Sequence, residues 1–356
     1  MLQNKLKDKH VIYIGRALNS VDGGAVVSKR NVEILKKISN GKIIEFYLSD
    51  KTIFHKIFNI ALGNPWGYSN IVYDSIKKAI LSNEISYIFI DHSLLGGFAS
   101  LLKKFNIEII AFFHNVEVKY YKDKVLVDGF LNNLMVGYAK RNEEKIIKYA
   151  NKIICLTDID SNLLKSIYGR TADLTIPITI ADKFKNYSQL EIKDSYHLFV
   201  GSSFFANIDA VNWYIKDVLP FVKSKLIVVG TGMEVLLEHH EENSNLEIHG
   251  FVDDLGPYYE GANFVINPVR LGSGMKTKTI EALMYGKTII GTQEAFAGIE
   301  NIEKFGAGYV CNQSEEFIRC IENLDSEKFN LRSRNYYLSN FSAEFGYNKF
   351  ESFLAS

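Results

Sequence analysis

Short continuous apolar runs alternate with stretches of helical period along the first half of the chain. VIYIG (11–15) reads as a buried strand. VVSKRNVEILKKI (26–38) follows it, with Val26, Val27, Arg30, Ile34 and Ile38 on one side of a helix. KIIEFYL (42–48), SYIFID (86–91), IEIIAFFH (107–114) and NKIICLT (151–157) are further strand candidates. Helical spacing near 70–82, 94–104, 128–149 and 158–168 separates most of them. Strands that alternate with helices predict βαβ units and a parallel sheet.

The segment 178–195 is polar and lacks periodicity, so it reads as a linker. The pattern then restarts. Strands are expected at 196–201, 225–230, 246–251, 263–269 and 287–292, with helices at 207–223, 232–241 and 274–286. From 314 onward the chain reads as helices, the last at 343–355. The expected organisation is one α/β domain over 1–185, a second over 186–335, and a C-terminal helix in 336–356 packing back on the first. Both domains are expected to be Rossmann-like, with doubly wound parallel sheets facing across a cleft. Ligands of such sheets bind beyond the carboxyl ends of the strands.

Composition narrows the class. The chain has 356 residues, 47% apolar and 23% charged, as in an ordinary soluble globular protein. No apolar run approaches the roughly 18–20 residues of a membrane span, and MLQNKLKDKH lacks the apolar core of a signal peptide. The expected location is the cytoplasm, with Cys155, Cys311 and Cys320 as reduced thiols that show no metal-binding spacing. The zero net charge hides a division: residues 1–190 carry 27 basic and 18 acidic groups, and 191–356 carry 14 and 23. Drift among solvated faces is one explanation. The other is a first domain that faces something anionic, a membrane surface or a phosphate-bearing acceptor. The positive charge is too dispersed for nucleic acid. KTIFHKIFNIALGNPWGYSNIVYDSIKKAI (51–80) mixes Phe, Ile and Lys. It fits a lipid interface as well as an acceptor-binding loop with packed aromatics.

Four stretches carry candidate chemistry. VGTGM (229–233) has a GxG after a strand, but Val235 stands where a dinucleotide site needs its third glycine, so a tight structural turn is the better reading. VDGGA places Gly23 and Gly24 between a strand and a helix start, which suits either an anion or a plain turn. FFHNVE puts His114 just past a strand end, as a structural or a functional histidine. NPVRLGSGMKTKTIEALMYGKTIIGT (267–292) frees a loop at Gly272 and Gly274, then opens a helix with Lys276 expected in its first turn. A cation there works against the helix dipole and asks for an anion. Glu281 lies five residues on, roughly 140° around the helix, and is not placed to pair with Lys276. A diphosphate on the loop, with a carboxylate for vicinal hydroxyls, accounts for more of this pattern than solvated charges do.

The last stretch resembles the signature of retaining GT-B glycosyltransferases, the family-four-like group, which reads P-x-x-x-G-x-G-x-(R/K)-x-K-x-x-E-A-x-x-x-G-x-P. HLFVGSSFFANIDAVNWYIKDVLP and HGFVDDLGPYYEGANFVINPV are similar to other donor-domain landmarks, and DGGA and HNVE to acceptor-domain ones. The resemblance implies a GT-B fold and transfer of a sugar from a nucleotide-diphosphate sugar, UDP- or GDP-linked, with retention and without a bound metal or separate cofactor. It implies a saccharide or lipid-linked acceptor and a role in bacterial surface polysaccharide assembly. By the same resemblance Lys276, Gly274 and Met275 meet the diphosphate, Glu281 the ribose, and Phe251 and Val252 the base. Gly23 and Gly24 lie near the diphosphate, His114 lies beside the transferred sugar, and Lys278 matches the second basic position. Ser273 stands where many relatives carry a glutamate. Ser202, Ser203 and Asn207 stand where many have Arg and Lys, so Ser202 and Asn207 are expected at the donor. Two other classes remain: a sugar-nucleotide epimerase, which needs further acid–base carboxylates, and a non-catalytic partner of another transferase.

Overall fold

A computed structural model describes residues 9–17, 23–50, 52–128, 133–185, 196–240, 243–272, 274–324 and 327–355. The chain folds as two compact units, Met1–Pro177 with Gly346–Ser356, and Ile178–Phe345.

The first unit runs β1 (His10–Arg16), α1 (Gly23–Ile38), β2 (Ile43–Leu48), α2 (Ile53–Leu62), α3 (Asn70–Ser82), β3 (Ile85–Asp91), α4 (Gly96–Leu102), β4 (Glu108–Phe113), α5 (Glu117–Asp128), α6 (Asn133–Tyr149), β5 (Lys152–Cys155), α7 (Asp158–Tyr168) and β6 (Leu174–Thr175). Its described strands are ordered β2-β1-β3-β4-β5-β6, each neighbouring pair parallel. Parallel strands covered on both faces bury nearly every side chain, which is why Val11–Ile14 and Ile88–Ile90 are unbroken apolar runs. The chain moves outward from β1 to β2 and then returns to β3 on the other side. The topological switch point therefore lies at the carboxyl ends of β1 and β3, where ligands of such sheets bind.

The second unit runs β7 (Tyr196–Val200), α8 (Phe205–Asp217), β8 (Lys225–Val229), α9 (Leu237–His240), β9 (Leu246–His249), α10 (Gly256–Gly261), β10 (Phe264–Asn267), α11 (Thr277–Met284), β11 (Ile289–Gly291), β12 (Gly308–Val310), α12 (Ser314–Glu322) and α13 (Leu331–Asn340). α14 (Ala343–Ala355) closes the chain. The strand order β12-β11-β10-β7-β8-β9, again parallel throughout, puts the second switch point between β7 and β10. The two doubly wound parallel sheets are those that the alternation of strands and helices predicts.

Several elements depart from the sequence reading. The expected helix 128–149 is α6, beginning at Asn133, while α5 (Glu117–Asp128) before it and α2 (Ile53–Leu62) were not expected as helices. The helix expected over 207–223 stops at Asp217, before a 3-10 turn containing Pro220. Proline has no N–H for the helix ladder. The units divide at Pro177/Ile178 and Phe345/Gly346, against expected divisions at 185/186 and 335/336. Local pairing explains where they fall. The Ile180 N–H donates to the Phe341 carbonyl at 3.0 Å, the Tyr337 hydroxyl donates to the Ile180 carbonyl at 2.9 Å, and Phe184 stacks on Phe329. Residues 178–185 thus fold with the second unit, and the rest of the expected linker lies outside the described residues. Phe350 on α14 is fully buried, with its ring 5.8 Å from that of Phe89.

Candidate functional site

In the second unit the loop after β10 leads into α11. Gly272 (φ 126°) and Gly274 (φ 71°) adopt backbone conformations that side chains disfavour. They delay the helix to Thr277, so Lys276 is its extended N-cap and not a first-turn residue. The Lys276 ammonium donates to the Gly274 carbonyl at 2.8 Å and to Glu294 Oε1 at 2.6 Å. The anion that this lysine calls for is therefore a carboxylate of the same unit. Met275 beside it is buried. Ser273 lies outside the described residues.

Lys278 turns the other way. Its ammonium donates to Asn207 Oδ1 at 2.5 Å and sits 4.3 Å from the centre of the Phe199 ring. Asn207 in turn donates to the Ser202 carbonyl at 2.8 Å. These contacts fasten the loop after β7 to α11, while the Ser202 side chain stays exposed. Burial, with Lys276 nearby, pushes Lys278 down to about 7 against the pull of Glu281. Glu281 is partly buried, and burial pushes its carboxyl upward, opposed by Lys183, Tyr259 and Lys278. The Tyr259 hydroxyl lies 3.5 Å from Glu281 Oε2. Phe251 and Val252 follow β9, and Phe251 is 71% exposed. Gly230 and Gly232 of VGTGM both take positive φ (152° and 77°). A Cβ on Gly230 would lie 2.0 Å from the Gly201 carbonyl oxygen, so this glycine serves a close backbone approach.

In the first unit Gly23 and Gly24 are the first residues of α1, after β1. His114 follows β4 and is buried. Its Nε2 meets Asp91 Oδ1 at 2.9 Å, and its buried Nδ1 has no hydrogen-bond partner among the described residues. A neutral imidazole that donates Nε2–H to Asp91 presents a lone pair at Nδ1 for a ligand hydroxyl. Asp91 ends β3 at the switch point and also accepts from Tyr13 (2.6 Å) and Asn31 (2.8 Å). Burial alone would raise its carboxyl, but His114, Tyr13 and Ser28 hold it well below the usual carboxylate range. His92 stacks on His114 with ring centres 5.4 Å apart, and its Nε2 lies 3.6 Å from Glu117 Oε1. Burial, with His114 and Arg16 nearby, holds His92 far below its ordinary value. Behind it Glu143 accepts from the Glu117 N–H at 2.6 Å, Ser93 at 3.2 Å and Tyr168 at 2.6 Å. Burial, reinforced by Glu143, pushes Glu117 up to about 8, and burial pushes Glu143 up to about 7. Among the described residues no group of three or more His, Cys, Asp or Glu is arranged to hold a metal ion.

Both clusters lie at the carboxyl ends of doubly wound sheets. The loop with Lys276 can hold an anion, and Glu281 can hold a hydroxyl. Residues 194–326 match the family described as Glycosyl transferases group 1. The matched segment lies within the second unit. It spans the β7 loop with Ser202 and Asn207, Phe251 and Val252 after β9, and the whole Lys276 loop. The fold of the two units is the GT-B fold. HepE from Anabaena, solved in complex with UDP, is 13% identical with a TM-score of 0.67, over 97% of this chain and 99% of that one. The same protein in complex with UDP-glucose gives 11%, 0.62, 98% and 100%. WaaG, a glycosyltransferase involved in lipopolysaccharide biosynthesis, is 15% identical with a TM-score of 0.64, over 97% and 98%. A 44.6 kDa protein in a cps region of Klebsiella pneumoniae, described as uncharacterized, is 24% identical over 75% of this chain and 72% of its own length.

Sequence reasoning did not single out Asp91, His92, Glu117, Glu143 or Glu294. Asp91 had a signal, an acidic residue closing the apolar run SYIFID, and Glu117 sits inside the quoted HNVE. Glu143 sits on a helix of unremarkable charge pattern. Glu294 has no local signal, because it lies 18 residues from Lys276 in sequence and reaches it only through the fold.

Proposed function

We propose that the protein is a glycosyltransferase that moves a sugar from a nucleotide-diphosphate sugar to a saccharide or lipid-linked acceptor, with retention, in the assembly of a bacterial surface polysaccharide. The observation that carries this reading is the Lys276 loop. An ammonium with two hydrogen bonds among the described residues stands on a glycine-freed loop at a switch point, inside the segment that matches glycosyl transferases group 1. A diphosphate leaving group gains negative charge as the sugar departs, and a cation held in place stabilises that charge without reorganising. Glu281 accepts from the ribose hydroxyls, Phe251 and Val252 meet the base, and Gly274 and Met275 lie against the diphosphate. His114 offers its Nδ1 lone pair to the transferred sugar, and Gly23 and Gly24 open α1 on the same unit. Lys278, Asn207 and Ser202 hold the donor side in shape. UDP-glucose is the first donor to try, since a protein of the same fold was solved with it. The test is release of nucleoside diphosphate from a panel of UDP- and GDP-sugars, followed by NMR of the product's anomeric proton. Turnover of one donor with the anomeric configuration kept supports the reading, and an inverted product overturns retention.

The reaction is placed in the cytoplasm, at the surface of an anionic membrane. On α2, Ile53, Phe54, Ile57, Phe58 and Leu62 are each 57–79% exposed. Thr52 and Gly63 cap the helix, so this apolar face is fixed in place. A helix with such a face inserts shallowly at a lipid interface. Among the described residues no helix is long and apolar enough to cross a membrane.

One observation favours a second reading. An epimerase needs further acid–base carboxylates, and Glu117, protonated near neutral pH beside His92, is a group of that kind. Incubation with a nucleotide sugar and no acceptor separates the two, because only an epimerase changes the sugar.

A further inference from the structure

Glu294 belongs to a single 3-10 turn, Glu294–Phe296, that follows β11. One bond fastens the turn to α11, and two more brace its two ends. Thr279 of α11 donates to the Ala295 carbonyl at 2.9 Å, and Asn267 at the end of β10 donates to Thr279 Oγ1 at 2.9 Å. The Ala295 N–H donates to Thr292 Oγ1 at 3.1 Å. The Glu294 carboxylate is therefore held beside the loop: Oε1 meets Lys276 Nζ at 2.6 Å and lies 3.9 Å from where a Cβ on Gly272 would be. The Glu294 side chain is 29% exposed, against 12% for Lys276.

A carboxylate at this place is out of keeping with a site for phosphate alone, because it cancels the charge of the lysine and repels the incoming anion. It is in keeping with a ligand that is anionic at one end and hydroxylated next to it. An ionised carboxylate is an acceptor only, and neighbouring hydroxyls are the donors that satisfy it. Lysine has three N–H donors, and two of them are used among the described residues, so a phosphate can accept from the ammonium without breaking the ion pair.

We propose that Glu294 is a specificity-determining residue of the donor site, accepting hydrogen bonds from hydroxyls of the transferred sugar while Lys276 bonds the adjoining phosphate. The inference rests on the reading of this loop as a nucleotide-sugar site, and the test separates the two. Calorimetric titration of wild type, Glu294→Gln and Glu294→Ala uses UDP against UDP-glucose and GDP against GDP-mannose, with melting curves to confirm folding. In the pair that wild type binds, both variants lose tenfold or more in affinity for the nucleotide sugar, while affinity for the free nucleoside diphosphate is unchanged or rises. Two results overturn the role of Glu294 alone: unchanged affinity for the sugar nucleotide, or equal shifts for both ligands, which would make Glu294 a simple counter-ion of Lys276. Wild type binding none of the four ligands overturns the donor-site reading and this inference with it.

Discussion

Lys276 was legible as a site residue, but its geometry was not. Periodicity placed it in a helix's first turn. Two positive-φ glycines move the helix start past it and leave its ammonium between the Gly274 carbonyl and Glu294. That placement lets it meet a phosphate from outside the helix. Charge-assisted hydrogen bonds contribute about 1.5–3 kcal/mol, so Lys276→Ala should weaken nucleoside diphosphate binding by about tenfold to a hundredfold, with little change in melting temperature. Calorimetric titration checks this, and unaltered affinity would remove Lys276 from the phosphate site. Glu117 makes a second prediction at this scale. Its folded-state value near 8 exceeds the ordinary carboxyl value of 4.5, so the folded state holds a proton that the unfolded chain has lost. That contribution to stability is complete below the ordinary value and disappears as pH rises through about 8. Glu117→Gln, which cannot ionise, should therefore gain in melting temperature relative to wild type between pH 5 and pH 8. Parallel melting curves across that range would show that Glu117 does not titrate there.

At the scale of elements, the apolar runs identified the buried parallel strands well, since a strand covered on both faces must be apolar throughout. The helices flanking the sheets were less legible. α2 was missed as a helix because most of its apolar residues face no core: Phe54, Ile57 and Phe58 are exposed, while Asn59 is buried and Ile60 packs against Leu94, Val118 and Tyr138. Phe54→Ser with Phe58→Ser should leave the melting temperature nearly unchanged, because neither ring is packed. It should cut pelleting with phosphatidylglycerol liposomes by about tenfold or more, from the roughly 1.5–3 kcal/mol per ring lost on exposure to water. Equal pelleting of variant and wild type would exclude α2 from the interface. The His114 cluster of the first unit was half legible. His114 was singled out because it follows a strand, whereas Asp91 with His92, and Glu143, come from two other segments that only the fold brings together.

For the whole molecule, two restarts of one strand–helix pattern sufficed to predict two doubly wound units. The divisions between them were harder to read. Residues 178–185 look like a linker because they lack periodicity, yet Ile180 and Phe184 are held by Phe341, Tyr337 and Phe329 of the second unit. Such pairing is irregular backbone and side-chain contact, and it leaves no period in the sequence. The strand orders then explain why the candidate residues cluster where they do. Lys276, Asn207 and Ser202 follow β10 and β7 across one switch point, and Asp91 ends β3 beside β1 at the other.

The central claim is that Glu281 and the Lys276 loop bind a nucleotide sugar for transfer. Release of nucleoside diphosphate by wild type and by Glu281→Ala, from whichever UDP- or GDP-sugar wild type turns over, tests it most directly. The expected result is a loss of about a hundredfold or more in kcat/KM, the roughly 2.7 kcal/mol of a polar contact tightened at the transition state, in a variant that melts as wild type does. Turnover by Glu281→Ala equal to that of wild type, or no release from any donor by wild type, would contradict it.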